Sequence, residues 1–273
     1  MLVDNNFANV LSFSNYRYPY GMNTNFEFHN IEIWGTVISI QTPKGVSKND
    51  FASACEKAAD FYHDIDQKFS TFKPNSEISR LRNNALSISD ASPEVKLVWN
   101  KCLELRELTQ RAFDPWAVPG GFDPSGFVKG WAAQESLRFF TEVGINHIQI
   151  NAGGDVVVRG GVDEKTPWHI GIRHPDQAAE IAKVFELFDG AVASSGTYER
   201  GAHIIDPRVG VPAVGARAAT VVGPDAGVAD ALATALVVDG RDSVNWMGAE
   251  EFRNYIFWAV DKRGDNAWSF IHP

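Results

Sequence analysis

Strand-like runs in this chain come in groups, and the helical patterns between them stand alone instead of alternating with single strands. That order points to an α+β fold and away from a doubly wound parallel sheet. Ile31, Ile33, Ile38 and Ile40 flank Trp34-Gly35-Thr36 and suggest one strand that changes register at the glycine, closed by a turn at Thr42-Pro43-Lys44-Gly45. From Ser47 a capped helix follows, with Phe51, Ala54, Cys55, Ala58, Phe61, Tyr62 and Ile65 at three- and four-residue steps. Ser92 caps a second helix, Pro93 fits its first position, and Val95, Val98, Trp99, Cys102 and Leu105 form its apolar stripe. A glycine- and proline-rich loop over 113–130 leads into a third helix carrying Trp131, Leu137 and Phe140. Hairpin-like strands follow at 147–151, 156–158 and 168–172. A short strand at 219–222 feeds an alanine-rich helix over 226–238, with Gly240 as its cap, and 255–260 with 267–271 reads as a last hairpin. Residues 1–27 are rich in Asn, Tyr and Ser without a period and read as an irregular arm. Residues 28–273 contain no repeat or low-complexity linker and read as one domain.

With 44% hydrophobic residues in 273 the chain can bury a core, which excludes wholesale disorder. A net charge of −9 argues against a nucleic-acid partner, because such affinity depends on Lys and Arg replacing counterions around phosphates. No segment has the apolar length to span a bilayer, and the start MLVDNNFANV lacks the basic and apolar regions of a signal peptide. Cys55 and Cys102 lie in helical patterns; one disulfide is conceivable, but buried thiols in a reducing compartment are the simpler reading. Neither sits where a lipid-anchored cysteine would, so no membrane anchor and a cytoplasmic location are expected.

Five segments use residues in ways a core does not require. In Phe69-Ser70-Thr71-Phe72-Lys73-Pro74-Asn75-Ser76-Glu77-Ile78-Ser79, Ser76 and Glu77 open a helix, and capping accounts for them on their own. Asp123-Pro124-Ser125-Gly126-Phe127-Val128-Lys129-Gly130 is a small-residue loop running into a helix, where unpaired N–H groups favour an anion, though its spacing matches no Walker A or dinucleotide fingerprint. Asn151-Ala152-Gly153-Gly154-Asp155 reads as a tight turn between strands. Ala193 to Arg200 followed by His203-Ile204-Ile205-Asp206 reads as a loop dense in donors and acceptors; His203 is either a structural histidine or a general base. In Ala229 to Leu236, Asp230 and Thr234 are four apart and share one helix face. That pair is either a first-turn cap with a bystander hydroxyl or an all-oxygen site of the kind magnesium takes.

In this order the five segments resemble the ApbE family of FAD:protein FMN transferases. The resemblance rests on FS-x-F-x-P-x-S-E-I-S-R-L at 69–81, FDP at 113–115, D-x-x-G-x-x-K-G at 123–130, NAGGD at 151–155, W-x-I-G-I-x-x-P at 168–175, Y-x-R with H-x-I-D-P at 198–207, and A-D-A-L-A-T-A-L at 229–236. It implies an ApbE-like, T-fold-like arrangement of mixed or antiparallel sheets with flanking helices. It also implies an enzyme that binds FAD with magnesium or manganese, moves FMN onto a Thr or Ser hydroxyl of an acceptor protein, and releases AMP. Some members instead hydrolyse FAD to FMN and AMP, and a non-catalytic FAD-binding or storage protein is a further alternative. Carried over by position, Asp230 and Thr234 would hold the metal with the Val128 backbone carbonyl. His203 would act on the incoming hydroxyl, oriented by Asp206, Ser195 and Tyr198, the latter two also on the FAD side. FAD contacts would fall on Ser76, Glu77, Lys129, Gly153, Gly154 and Asp155.

The sequence departs from that family at several points. Trp34 stands where Met is usual, Arg82 where Asn follows Arg-Leu, and Pro124-Ser125 and Gln134 differ from the common Asp-Leu-Gly-Gly…Asp motif. FDP is followed almost at once by Asp123, where typical members carry an intervening stretch of helix and strand.

Overall fold

The helices Lys48–Phe69 and Pro93–Leu108 bury the stripes that their apolar spacing defines. The computed structural model describes residues 10–12, 25–175, 177, 179–196, 204–262 and 266–272. In chain order the elements are β1 (Val10–Ser12), β2 (Phe26–Ile33), β3 (Thr36–Pro43), α1 (Lys48–Phe69), α2 (Glu77–Arg82), α3 (Pro93–Leu108), α4 (Ser125–Thr141), β4 (Ile148–Ala152), β5 (Asp155–Arg159), β6 (Trp168–Arg173), β7 (Ile181–Leu187), β8 (Gly190–Gly196), β9 (Ile205–Asp206), β10 (Val211–Pro212), β11 (Ala216–Gly223), α5 (Ala226–Asp239), α6 (Val244–Met247), β12 (Ile256–Asp261) and β13 (Ala267–Ile271). Eight strands form one sheet in the order β13-β12-β11-β8-β5-β4-β3-β2, while β1, β6 and β7 form a second and β9 with β10 a third. All these pairings are antiparallel, so the fold is α+β as the grouped strands predict.

Strand parity sorts the large sheet into two faces. Ile38, Ile40, Ile150, Ala152, Val157, Ala191, Ala193, Ala219 and Val221 join the buried cluster formed with α1, α3, α4 and α5. Val156, Val158, Val192, Ala218, Val222, Trp258 and Val260 point the other way and pack with Trp168, Ile170 and Phe185 of the three-stranded sheet. Asp155 shares its parity with Val157, and Ser195 with Ala191 and Ala193. Both side chains therefore stand on the helix side.

Four expectations from the sequence differ from the structure. The loop expected over 113–130 ends early, because α4 begins at Ser125 and takes in Lys129 and Gly130. Residues 31–40 are not one strand with a register change but a hairpin, in which Ile31 pairs Ile38 and Ile33 pairs Thr36. Trp34 (φ 56°) and Gly35 (φ 67°) are both left-handed, the two-residue turn that matches the twist of antiparallel strands. The segment beginning Ala193-Ser194-Ser195 is not a loop at its start: it ends β8, which lies inside the large sheet between β5 and β11. The arm at 1–27 is not wholly irregular, since β1 pairs with β6 and β2 begins at Phe26. Residues 1–9 and 13–24 lie outside the described residues.

α5 is apolar nearly all round and buried nearly all round, as a helix must be when it lies between a sheet and another helix. It packs on β8 and β11 on one side and α4 on the other. β8 accommodates it by presenting only small side chains, Ala191, Ala193 and Ser195, on the helix side, while Val192 faces away. The approach of α4 depends on glycines: a Cβ on Gly130 would overlap the Ala226 carbonyl oxygen, and one on Gly227 would lie 2.8 Å from the Phe127 ring. Gln134 braces the crossing, its Oε1 accepting from Ala226 N at 2.6 Å and its amide donating to the Pro224 carbonyl at 3.3 Å.

Alanine is worth up to about 1 kcal/mol over glycine in a free helix. At Gly130 the overlap with backbone outweighs that gain, so Gly130→Ala is expected to lower stability by about 1–3 kcal/mol, the usual cost of overpacking. Urea unfolding of the variant checks this; equal or higher stability would show that the two helices are free to separate.

Candidate active site

The chain buries a carboxylate on a helix of small apolar residues. Asp225, not Asp230, caps α5, its side chain accepting from Val228 N at 2.9 Å. Asp230 lies further along the helix, 4% exposed, so the capping explanation falls away. Asp155, at the start of β5 and 2% exposed, is its neighbour in charge. Lys129 of α4 reaches both: its Nζ donates to Asp155 Oδ2 in a very short contact and to Asp230 Oδ2 at 3.3 Å. The Lys129 side chain is 33% exposed, against 3% for that of Asp155 and 6% for that of Asp230.

These contacts set the protonation of the centre. Burial, then the charge of Asp155, pushes the Asp230 carboxyl up to about 7, with Lys129 opposing the shift only in part. Burial also opposes the Lys129 charge, but Asp155 and Asp230 outweigh it and hold the ammonium above its usual range. Two carboxylates share a single ammonium. Ionised, the three groups carry a net negative charge in a nearly closed space.

The hydroxyls lie beside this cluster. Thr234 Oγ1, one turn after Asp230, is 3.2 Å from Ser195 Oγ of β8. A Cβ on Gly126 would lie 3.7 Å from that same Thr234 oxygen, so the start of α4 runs across it. The donors gathered here are all oxygens plus one ammonium, and among the described residues no group of three His, Cys, Asp or Glu side chains converges.

Other sequence-predicted residues are placed as follows. Val128 precedes Lys129 on α4, its side chain buried. Gly153 (φ 64°) and Gly154 (φ 108°) form the turn that delivers Asp155, and Gly154 N donates to Asn151 Oδ1 at 2.8 Å. A Cβ at Gly153 would sit 2.8 Å from Thr36 Oγ1, which ties this turn to the one at Trp34-Gly35. Ser76 and Glu77 are engaged in capping, the plain reading of their segment: Ser76 Oγ accepts from Ser79 N at 3.0 Å, and a Glu77 carboxylate oxygen accepts from Ser92 N at 2.6 Å. Asp206 is held by Arg208, whose guanidinium keeps its carboxyl below the usual range. Tyr198 and His203 lie outside the described residues.

Arg208 was not singled out in the sequence, yet it joins Asp206 to Asp239 at the end of α5, and Trp246 Nε1 donates to Asp239 Oδ2 at 2.8 Å. Only its place beside the Asp-Pro pair hinted at a role. Thr220 was likewise unmarked; its hydroxyl meets that of Ser194, a member of the marked 193–200 segment, at 2.8 Å on the opposite face of the sheet from Ser195. Arg82 clamps the short 116–122 connection, donating from Nε to the Gly120 carbonyl at 2.9 Å and from Nη2 to that of Pro119 at 2.5 Å.

A model of the ApbE family matches residues 34–121 and 119–256. An FAD:protein FMN transferase of Klebsiella pneumoniae is 27% identical over 182 residues, covering 63% of this chain and 51% of that protein. One from Haemophilus influenzae is 25% identical over 243 residues, covering 66% of this chain and 70% of its own. The chain spans about half the length of the Klebsiella and Escherichia coli relatives it matches. Among solved structures, the flavin transferase ApbE from Vibrio cholerae superposes with a TM-score of 0.77 at 20% identity, covering 90% of this chain and 97% of that one. The ApbE protein from Thermotoga maritima gives 0.77 at 23% identity, with the same coverage. At such identities the likeness shows the fold.

A carboxyl whose folded pKa lies above its unfolded value stabilises the fold at low pH, and that contribution is lost as pH rises through the folded value. For Asp230 the loss runs from about 4, the unfolded carboxylate range, to just above the folded value of about 7. Asp230→Asn removes the ionisation, so in chelator-treated buffer its advantage over the parent is expected to grow from about pH 5 to about pH 8, reaching about 1–3 kcal/mol. Thermal melts across that range test it; a constant difference would place the Asp230 titration elsewhere.

Proposed function

The chain belongs to the ApbE family, and on that premise we propose that it transfers the FMN portion of FAD to a threonine or serine hydroxyl of an acceptor protein and releases AMP. The observation that carries the proposal is the convergence of Lys129, Asp155, Ser195, Asp230 and Thr234 between the large sheet and the crossing of α4 with α5. These residues come from four separate segments of the sequence, and three of those segments hold family motifs that otherwise read as a helix start, a turn and a helix face.

A magnesium or manganese ion suits this centre, because its oxygen donors and residual negative charge match what hard cations take. Asp230 and Thr234 would hold it, with the Val128 carbonyl as a third ligand. When bound, such an ion offsets charge that builds up on a pyrophosphate during displacement. Lys129 would present its ammonium to the phosphate oxygens, kept in place by Asp155. Gly153 and Gly154 lack side chains and leave the turn open to the dinucleotide, while Ser195 and Tyr198 would orient it. Ser76 and Glu77 would shape the FAD side through the helix starts they cap. The hydroxyl of the acceptor would pass its proton to His203 and bond to the FMN phosphorus, while the P–O bond to AMP breaks and AMP leaves with that oxygen. Asp206, fixed by Arg208, would orient that segment. A cytoplasmic location is part of the proposal, resting on the free, buried thiols of Cys55 and Cys102. No described helix is long and apolar enough to cross a membrane.

Incubating the protein with FAD and magnesium, with and without a threonine-bearing acceptor, tests the reading. The expected result is an acceptor heavier by one FMN together with an equal amount of AMP. His203→Ala and Asp230→Ala are each expected to lower that yield at least about a hundredfold, the scale of a lost acid-base or charge-stabilising group. AMP with free FMN and no adduct would make the activity hydrolysis, and intact FAD would leave a binding protein.

A further inference from the structure

The cation already present at the centre is the protein's own. Asp155 and Asp230 arrive from β5 and α5 and are almost wholly buried, whereas Lys129 reaches them from α4 with a third of its side chain exposed. Its two contacts are unequal: the one to Asp155 is very short and the one to Asp230 spans 3.3 Å. On the Asp230 side the Ser195 and Thr234 hydroxyls pair with each other and keep lone pairs that an ammonium on Asp155 does not use. The arm of Lys129 that would yield is therefore the longer one, and it yields toward the oxygens a divalent ion would need.

We propose that Lys129 acts as an internal competitor for the divalent ion: its ammonium occupies Asp230 in the metal-free protein, and metal binding displaces it from Asp230 while Asp155 retains it. Lys129 in this way weakens metal affinity, and metal arrival frees the ammonium to face an anionic substrate. The inference rests on Asp230 as a ligand in the proposed function. A unit charge a few ångströms away changes the energy of a divalent ion substantially even at an effective dielectric near 20. Lys129→Met is therefore expected to bind the ion more tightly, although the substitution removes a polar group from the centre.

The test measures binding of Mn2+ alone and of Mg2+ alone to the metal-free protein by calorimetry, without FAD. Lys129→Met is expected to bind at least about tenfold more tightly than the parent, and Lys129→Arg, which keeps the charge, within about threefold of it. Equal or weaker binding by Lys129→Met would overturn the inference, because a supporting lysine would leave the site no better once lost. No binding by the parent or either variant would overturn the metal assignment, and the inference with it. If Lys129→Met fails to fold, the parent labelled with 15N-lysine decides the matter. The Lys129 Nζ resonance, identified by its loss in Lys129→Arg, is expected to move as Mg2+ is added, and a resonance unmoved at saturation would overturn the inference.

Discussion

A carboxylate sealed among alanines and valines is tolerable only with a cation within reach, and that requirement organises this protein. Asp230 sits on a helix with almost no exposed surface, so the cation must come from a neighbouring element. α4 supplies it, but only because Gly130 and Gly227 let the two helix backbones approach and Gln134 holds the crossing. The α5-facing side of β8 must be thin for α5 to lie against the sheet, which accounts for Ala191, Ala193 and Ser195 there. The tight Gly153-Gly154 turn then sets Asp155 at the first position of β5, on the helix side. Gly130, Gly153 and Gly154, three glycines of the family-like motifs, thus answer to the placement of three charged groups.

Much of this was legible in the sequence. The stripes of α1 and α3 and their Ser47 and Ser92 caps appear where the spacing puts them. That Asp230 and Thr234 share a helix face followed from helical spacing, and the position of the true cap, Asp225, removes only the capping explanation. The β2–β3 hairpin was hidden because one of its two left-handed turn residues is a tryptophan, which gives no turn signal. β8 was hidden because Ala-Ser-Ser-Gly has little intrinsic preference for a strand; its environment makes it one. The Lys129 contacts join residues 26 and 101 positions apart, a separation that no local pattern encodes.

The departures from the family pattern are also taken up by structure. Gln134 and Arg82 have become braces, one across the α4–α5 crossing and the other on the short connection that follows α3. That connection is further held by Asp114, which accepts from Arg106 at 2.8 Å and from Trp116 N at 3.0 Å, and by the packing of Trp99, Trp116 and Phe122. Trp34 sets its ring edge-on against Tyr62 at 5.5 Å. The connection is thus held at both ends by side chains, through Arg82 on one side and Asp114 on the other.

The order of strands in the large sheet has a consequence for how the molecule is made. β5 and β8 are adjacent in space, yet β6 and β7 are threaded between them in the chain, and α5 lies on the surface that β8 and β11 form together. The charged centre itself joins residues 26 and 101 positions apart, non-local contacts of the kind that slow folding. A nascent or partly unfolded chain holds its acidic and basic groups apart in water. The three charged groups come within reach of one another only where α4, β5 and α5 are all in place, so their spacing is a signature of the completed fold.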